Sequence, residues 1–497
     1  MSDESFMNAG GESHDCVVPT KAPNKDRIGS AEGLEGRRSI KENAEKANPS
    51  RIQSREIGSR GLLGVREAAK KDKELRFTAL LHHVTEGLLL ESFLSLKRQA
   101  APGVDGVTWR EYEQGVEARI KDLHGRVHRG AYRAQPSRRT YISKSDGRQR
   151  PLGIATLEDK VVQQGVVMVL NAIYEEDFMG FSYGFRPGRG AHDALDALTA
   201  GIVWKKVDWI LDADVRGFFD NISHEYLMQL IQKRVGDPRI LRLIQKWLKA
   251  GVSEDGEWSE TKVGTPQGAV ISPLLANIYL HYVLDQWVVW WRERYAYGDV
   301  IIVRYADDFV IGFQRRKEAD RFLKELGERM QGFGLELHPE KTRLIEFGRY
   351  ANEHRRRNGE GKPETFNFLG FTHICGTVHK TGKFTVMRKT IGKRMAAKLK
   401  AIKAELRRRM HEPIKDTGDW LRAVVRGYFN YHAVPGNFAR LRSFRHDVIR
   451  SWWQAVRRRS QRALRREAFD RIVAQYIPAA TIVHPYPLER FCAKHPR

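Results

Sequence analysis

Three aspartates at the ends of apolar segments are the residues in this sequence best suited to chemistry. Asp214 ends one strand-like apolar run, and Asp307 and Asp308 separate two more, at 300–305 and 309–313. A carboxylate at the end of a buried strand is costly unless a counter-charge meets it. Adjacent strand ends of this kind would form an acidic pocket suited to Mg²⁺, which takes oxygen ligands together with substrate phosphates. Two such ions promote in-line displacement at phosphorus.

Each of these groups also has an ordinary alternative. Asp-Asp is common in hairpin turns, and Asp212 and Asp220 flank Asp214, so any of the three could be a cap. The metal interpretation is favoured because the two segments are far apart in sequence. A tight loop, Gly-Thr-Pro-Gln-Gly at 264–268, also lies between them.

Hydrophobic periodicity predicts the elements that must position these residues. Strand patterns occur at 135–157 (around a turn at 145–147), 209–215, 300–305, 309–313, 341–347 and 366–386. Helical patterns occur at 78–96, 158–178, 191–202, 274–287 and 319–330. A polar, Arg-rich loop is predicted at 350–363, and from about 390 onward the sequence is helical and very basic.

Composition restricts the class of protein. The 497 residues include 86 Lys and Arg against 61 Asp and Glu, so the net charge is 86 − 61 = +25. This charge indicates a polyanionic partner such as nucleic acid, and a solvated basic surface is the alternative. We find no apolar run of about 18 residues that would span a membrane and no secretory signal. Three distant cysteines exclude a disulfide scaffold and fit a reducing compartment.

Six segments are similar, in content and order, to the motifs of reverse transcriptases. Tyr305-Ala-Asp-Asp308 resembles their YxDD box, and Asp212–Asp220 resembles the aspartate motif that precedes it. The segments 144–153 and 184–190 resemble two blocks of the fingers, 264–279 resembles a block leading into a helix, and 367–371 resembles the block that closes the polymerase. Together they cover about residues 75–385.

Ala306 and the tract 422–437 are typical of group II intron reverse transcriptase/maturases. The resemblance implies an α+β, right-hand polymerase with fingers, a palm whose antiparallel sheet carries YADD, and an α-helical thumb with a maturase (X) domain. The expected divisions are 1–60 (a disordered basic and polar tail), 61–205 (N-terminal extension and fingers), 206–387 (palm) and 388–497 (thumb and X domain). Because only Cys492 stands near the end of the sequence, no HNH endonuclease is expected.

The resemblance also implies metal-binding roles. Asp214 and Asp307 are expected to bind two Mg²⁺ ions directly, and Mn²⁺ is a possible substitute. Asp308 belongs to the same catalytic and metal-binding set, with a supporting part, and the backbone carbonyl of Val215 completes the predicted ligands.

The nucleotide site is implied in the same way. Lys144 and Arg150 are expected to hold the dNTP triphosphate, with ordinary contact to a phosphate backbone as the alternative. Phe219 is the expected steric gate against a ribose 2′-hydroxyl, with Phe218 as its rival. Gln267 and Gly268 are expected to lie against the nascent base pair.

Basic residues after 390 are expected to bind RNA, although a solvated basic face is the alternative. The predicted contacts are Arg394, Lys398, Arg457, Arg458 and Arg459. The aromatic residues among them, such as Tyr428 and Trp452, are at helical spacing and are predicted to be core.

The function implied is an RNA-directed DNA polymerase encoded by a group II intron, which also assists splicing and retrohoming. Its expected partners are the intron RNA, template RNA with a DNA primer, dNTPs and target DNA, in a bacterial cytoplasm and away from membranes. Two alternatives are a freestanding reverse transcriptase in defence or another host role and a splicing-only maturase. The sequence leaves the oligomeric state open.

Overall fold

The structure is a computed structural model that describes residues 61–143, 149–254, 257–259, 263–378, 381–459 and 465–495. The predicted tail at 1–60, the turn at 145–147 and Lys144 lie outside the described residues.

Strands and helices are interspersed up to residue 390, and only helices follow among the described residues. The strands are β1 Ser137–Ser143, β2 Gln149–Ile154, β3 Trp209–Asp214, β4 Val252–Glu254, β5 Glu257–Ser259, β6 Val300–Tyr305, β7 Asp308–Phe313, β8 Arg343–Glu346, β9 Phe366–Phe368, β10 Phe371–Thr377 and β11 Phe384–Thr390. The α-helices are α1 Glu86–Ser95, α2 Trp109–Glu113, α3 Val116–His128, α4 Leu157–Asp177, α5 Ala191–Trp204, α6 Phe218–Asn221, α7 His224–Gln232, α8 Pro238–Lys249, α9 Ser272–Leu280, α10 Gln286–Tyr295, α11 Arg316–Gly332, α12 Ala351–Arg357, α13 Gly392–Arg408, α14 Ile414–His432, α15 Phe438–Arg457, α16 Arg466–Tyr476 and α17 Pro487–Lys494.

The central sheet has the strand order β6-β7-β3-β8, and every neighbouring pair in it is antiparallel. Its middle strands, β7 and β3, read as nearly continuous apolar runs because helices cover them, and Leu211, Phe309 and Val310 are fully buried. Such burial on both faces removes the alternation that a half-exposed strand shows.

A second sheet, β2-β1-β4-β5, joins parts of the chain that the expected divisions separate. β1 and β2 form an antiparallel hairpin, as predicted for 135–157. β4 pairs in parallel with β1, although its residues fall within the expected palm at 206–387. This sheet therefore joins residues on both sides of the expected boundary at 205, and the divisions stay a prediction.

Most predicted elements are confirmed, but the loop predicted at 350–363 is wrong. It contains α12, which buries Ala351 and has an (i, i+4) ion pair of 2.5 Å between Glu353 and Arg357. The sequence analysis also omitted α8, although its start has a clear signal. Asp237 caps the helix and Pro238 is its first residue.

The C-terminal helices have a core of their own. Apolar residues between 402 and 477 form a cluster separate from the main one. Tyr428 stacks on Phe444 at a centroid distance of 3.6 Å, and Trp452 is buried, so their prediction as core is confirmed. In the described part of the chain, no helix is long and apolar enough to cross a membrane.

The last helix, α17, returns to α5. Arg490 Nε lies 2.6 Å from Asp196 Oδ2, and Lys494 Nζ lies 2.6 Å from Asp193 Oδ1. On its other side Asp196 Oδ1 accepts a hydrogen bond of 3.0 Å from Arg388 of β11. Because Asp196 is almost fully buried, these two guanidinium groups supply the counter-charge that burial demands.

We expect Arg490→Ala to loosen α17 from α5 without unfolding the central sheet. Removing one partner of a buried ion pair costs about 3–5 kcal/mol when a charge is left unpaired, and the cost here is smaller because Asp196 keeps Arg388. Hydrogen exchange should accelerate at 487–494. Lys324→Ala, which removes a pair between Lys324 and Glu328 that is exposed on both sides, is the matched control and should change nothing. Unchanged exchange at 487–494 would contradict the prediction.

Candidate active site

The two acidic segments meet in the central sheet. Asp214, the last residue of β3, lies directly opposite Asp308, the first residue of β7. Side chains in such opposed positions share one face, with Cβ atoms about 4.5–5.5 Å apart. Ala306 and Asp307 form the two-residue hairpin turn between β6 and β7. Ala306 adopts a φ of 57°, and the commonest two-residue hairpin turns need such a positive φ at their first central residue.

A buried guanidinium holds this hairpin turn. Arg304 pairs with Asp285 through contacts of 2.7 Å (Nε to Oδ1) and 2.5 Å (Nη2 to Oδ2), and both side chains are fully buried. Its Nη1 donates to the carbonyl of Ala306 at 2.9 Å and to Asn277 Oδ1 at 3.0 Å. Arg304 thus ties the turn to the helical segment behind the sheet.

A π-helical turn places Asp285 at this position. The segment His281–Asp285, between α9 and α10, is π-helical. A π turn adds a residue to the helical repeat and redirects the side chains around it, and such turns are frequent at functional sites. The predicted helix at 274–287 is therefore confirmed, but its irregular turn gave no signal in the periodicity.

A cavity of about 710 Å³ opens beside the hairpin turn. Six of the predicted site residues line it: Arg150, Asp214, Val215, Phe219, Gln267 and Asp307. Asp308 and Gly268 are not part of its wall.

Two carboxyl groups of the site, those of Asp307 and Asp308, have raised pKa values. Burial raises the pKa of Asp307, and the neighbouring Asp214 raises it further. Burial also raises the pKa of Asp308 to about 7, with contributions from Asp212, Asp307 and Asp214, while Arg394 opposes the shift. Burial and like charge both disfavour the ionised form, so the site lacks the positive charge that would balance it.

Lys341 supplies part of that charge. Its Nζ lies 2.5 Å from Asp214 Oδ2, and both residues line the cavity. The pair is well exposed, at 52% for the lysine and 38% for the aspartate, so solvent screens it and its contribution to stability is small. Lys341 therefore contacts a carboxylate oxygen of Asp214 without holding it tightly.

A hydrogen-bonded chain crosses the cavity. Arg150 Nε donates to Gln267 Oε1 at 2.8 Å, and Gln267 Nε2 donates to Asp220 Oδ1 at 2.9 Å. These bonds bring two predicted nucleotide-binding residues together. They also involve Asp220, which the sequence analysis noted only as a neighbour of Asp214.

The loop at 264–268 is held by main-chain bonds. Gly264 N donates to Ile222 O at 2.8 Å, and Gly153 N donates to Gln267 O at 2.6 Å. Gly268 has a φ of 110°, and a Cβ there would come within 2.8 Å of Gly153 O. The close approach that requires glycine at 268 is therefore to β2, and its predicted contact with a base pair stays a prediction.

The adjacent phenylalanines have different environments. Phe218 is buried and packs edge-on against Tyr279 at 6.4 Å. Phe219 is half-buried, and both rings border the cavity. Phe219 is thus the more exposed of the two rings at the cavity wall, and its role as the steric gate stays a prediction.

The carbonyl of Val215 is not used in pairing with its opposite residue. Val215 and Leu337 form an isolated antiparallel bridge, and the bonds are made by their neighbours, such as Arg216 N to Glu336 O at 2.8 Å. In such a non-hydrogen-bonded pair, the groups of the pair itself point outward.

Two carboxylates and this carbonyl fit an ion that substrate phosphates complete, as Mg²⁺ commonly requires. Across the described ranges, no group of three or more His, Cys, Asp and Glu side chains is arranged to hold a metal ion alone. The donors fit Mg²⁺ only as part of a ternary site with substrate.

The predicted RNA-binding residues form two separate surfaces. Arg394 and Lys398 line a groove of about 430 Å³ between α13 and α14. Arg457 and Arg458 are exposed at the end of α15, and Arg459 is half-buried.

The residues at 338–341, which line one side of the cavity, were not predicted to belong to the site. Lys341 was noted only as the start of a predicted strand. Its Pro-Glu-Lys context indicates a turn, and nothing local indicates that this turn meets Asp214, 127 residues away.

Comparisons with known proteins agree with this geometry. A family model described as "Reverse transcriptase (RNA-dependent DNA polymerase)" matches residues 142–373. Protein YkfC of Escherichia coli (strain K12) is 33% identical over 314 residues, which are 56% of this chain and 81% of that protein.

Two further relatives have names that refer to introns. The group II intron-encoded protein LtrA of Lactococcus lactis subsp. cremoris is 42% identical over 180 residues, 36% of this chain and 30% of LtrA. A 91 kDa protein in the cob intron of Schizosaccharomyces pombe is 34% identical over 224 residues, 44% of this chain and 27% of that protein. The chain thus spans about a third of the length of each. With its motifs in the family's order and its aspartates in one cavity, the chain belongs to the group II intron reverse transcriptase/maturase family.

Proposed function

We propose that this protein is an RNA-directed DNA polymerase encoded by a group II intron, and that it also binds its intron RNA to assist splicing and retrohoming. One observation carries the polymerase assignment. Asp214, at the end of β3, and Asp307, in the turn between β6 and β7, line one cavity with Phe219 and Arg150. The substrates are dNTPs and a template RNA with a DNA primer.

The carboxylates of Asp214 and Asp307 and the carbonyl of Val215 would hold two Mg²⁺ ions, or Mn²⁺ in their place. When bound, these ions supply the positive charge that favours in-line attack of a primer 3′-hydroxyl and departure of pyrophosphate. Asp308 supports the site from the opposite position of the ladder, where its charge adds to the pull on cations.

Residues around the carboxylates would select and orient the nucleotide. Arg150, with Lys144, binds the triphosphate as a charged hydrogen-bond donor. Gln267, held by Arg150, and Gly268 lie against the nascent base pair. Phe219 blocks the 2′-hydroxyl, the group that distinguishes ribose from deoxyribose.

We assign the central sheet to the palm and the sheet of β1, β2, β4 and β5 to the fingers. The helices from α13 onward form the thumb and the X domain. The surface of Arg394 and Lys398 and that of Arg457, Arg458 and Arg459 are proposed to contact RNA phosphates. Arg side chains at such sites release counterions when they bind.

Splicing assistance and retrohoming to a DNA target rest on the family and on the net charge of +25. The acidic cavity argues against a splicing-only maturase, which would not need it. The maturase-like tract at 422–437 argues against a freestanding enzyme in defence or another host role. A splicing assay with the flanking intron RNA tests this second activity.

Asp307→Ala should abolish DNA synthesis and leave RNA affinity unchanged. Losing a metal ligand should slow primer extension by roughly a thousandfold, or about 4 kcal/mol. Primer extension on an RNA template measures the first effect, and fluorescence anisotropy with intron RNA measures the second. Asp320→Ala, at an exposed ion pair, is the control. Equal loss of both activities would mean that the hairpin turn is structural.

Phe219→Ala should admit ribonucleotides, because the ring that borders the cavity would no longer meet the 2′-hydroxyl. The ratio of rNTP to dNTP incorporation in single-nucleotide extension should rise by roughly tenfold or more, since a steric clash worth 1.4 kcal/mol already gives that factor. Phe218→Leu, in the core, should lower the melting temperature and leave the ratio unchanged. An unchanged ratio in Phe219→Ala would show that Phe219 is not the steric gate.

Lys341→Met should raise the affinity for divalent cations, because the ammonium competes with them for Asp214. An exposed pair of this kind is worth about 0.2–1 kcal/mol, so the dissociation constant should fall by up to about fivefold. Mn²⁺ titration of the complex with an RNA template, a 3′-deoxy-terminated DNA primer and a dNTP, followed by electron paramagnetic resonance, measures it. Arg343→Met, whose guanidinium lies 3.4 Å from Asp212, is the comparison. Weaker binding in Lys341→Met would show instead that the lysine orients Asp214.

A further inference from the structure

Phe185 combines two features that are each unfavourable for a folded chain. Its side chain is 57% exposed, and its φ is 58°. A bulky residue with positive φ is a genuine outlier. Such residues persist where the surrounding structure fixes them, and they cluster at functional sites.

Two arginines fix the loop 184–190 around Phe185. Arg186, whose side chain is fully buried, donates from Nη1 to the carbonyls of Met179 and Ser182, both at 2.7 Å. Arg189 Nη1 donates to Gly180 O at 2.5 Å. The loop is thus anchored by its neighbours, and the conformation of Phe185 is imposed on it. The phenylalanine ring contributes little to the core.

The same loop touches the hairpin turn. A Cβ on Gly184 would overlap the backbone nitrogen of Ala306, so the two main chains are in direct contact. Asn277 Nδ2 donates to Gly184 O at 2.8 Å, and Asn277 is also bound by Arg304. Phe185 therefore follows a residue that is locked against the turn carrying Asp307.

We propose that Phe185 is a stacking platform for a nucleotide of the primer–template duplex at the hairpin turn. The proposal rests on the polymerase function proposed above. Aromatic rings stack on any base, because every base has a π face, and this tolerance suits an enzyme that copies all sequences. A net charge of +25 favours a nucleic-acid strand as the occupant of an exposed ring beside an acidic turn.

The test compares affinity with stability. Phe185→Ala should weaken binding of an RNA-template/DNA-primer duplex by about tenfold, within the range that stacking on one base gives. Phe185→Gly should weaken it equally and should keep or raise the melting temperature, because glycine relieves the positive φ. Phe185→Tyr should bind the duplex as tightly as the wild type does, because a tyrosine ring can also stack on a base. Tyr297→Ala, which removes a ring that is 84% exposed, is the control and should bind as the wild type does.

A duplex with 2-aminopurine at successive positions identifies the stacked base, whose fluorescence should rise only in the Ala and Gly variants. Equal affinity in all variants, or a fall in melting temperature in Phe185→Gly without loss of binding, would overturn the proposal. Primer extension by the wild-type protein distinguishes a failure of this proposal from a failure of the proposed polymerase function. If the wild type extends a primer while Phe185→Ala binds normally, only the platform is refuted. If the wild type does not extend it, the proposed function fails as well.

Discussion

The active-site geometry depends on the buried ion pair between Arg304 and Asp285. Both groups are withdrawn from water, so removing either would leave an unpaired charge at a cost of about 3–5 kcal/mol. The remaining donors of Arg304 bind the carbonyl of Ala306 and the amide oxygen of Asn277. Asn277 in turn holds the loop of Gly184. One guanidinium thus fixes a hairpin, a helix and a loop around the turn that bears the reactive carboxylate.

That rigid frame allows the site to hold charges that oppose one another. Asp308 has a pKa of about 7, whereas an aspartate in an unfolded chain titrates near about 3.9. Asp308 therefore keeps its proton in the folded protein at pH values where the unfolded chain has lost it, and its contribution to stability falls as the pH rises through this range. A divalent cation would reverse this loss by balancing the ionised carboxylates.

Local sequence patterns predicted most strands, whereas contacts between distant segments could not be predicted from those patterns. The apolar runs around Asp214 and Asp307 were sufficient to predict strands, and the motif order was sufficient to bring them into one cavity. The contact of Lys341 with Asp214 and the pairing of β4 with β1 are tertiary events between distant segments, and periodicity carries no information about them. Helix α12 was missed for a different reason, because its polar sequence has no apolar face beyond Ala351.

The C-terminal helices and the polymerase site are mechanically linked through α5. Asp193 accepts a bond of 2.9 Å from Gly190 N at the start of that helix and also pairs with Lys494. Gly190 ends the loop 184–190, whose first residue is packed against Ala306. A continuous path of close contacts therefore runs from α17 to the hairpin turn. Because tightly packed elements transmit strain, a displacement of α17 would shift the loop 184–190, which carries Phe185. The C-terminal region and the acidic hairpin turn are consequently connected through α5, although most of the C-terminal helices have a separate hydrophobic core.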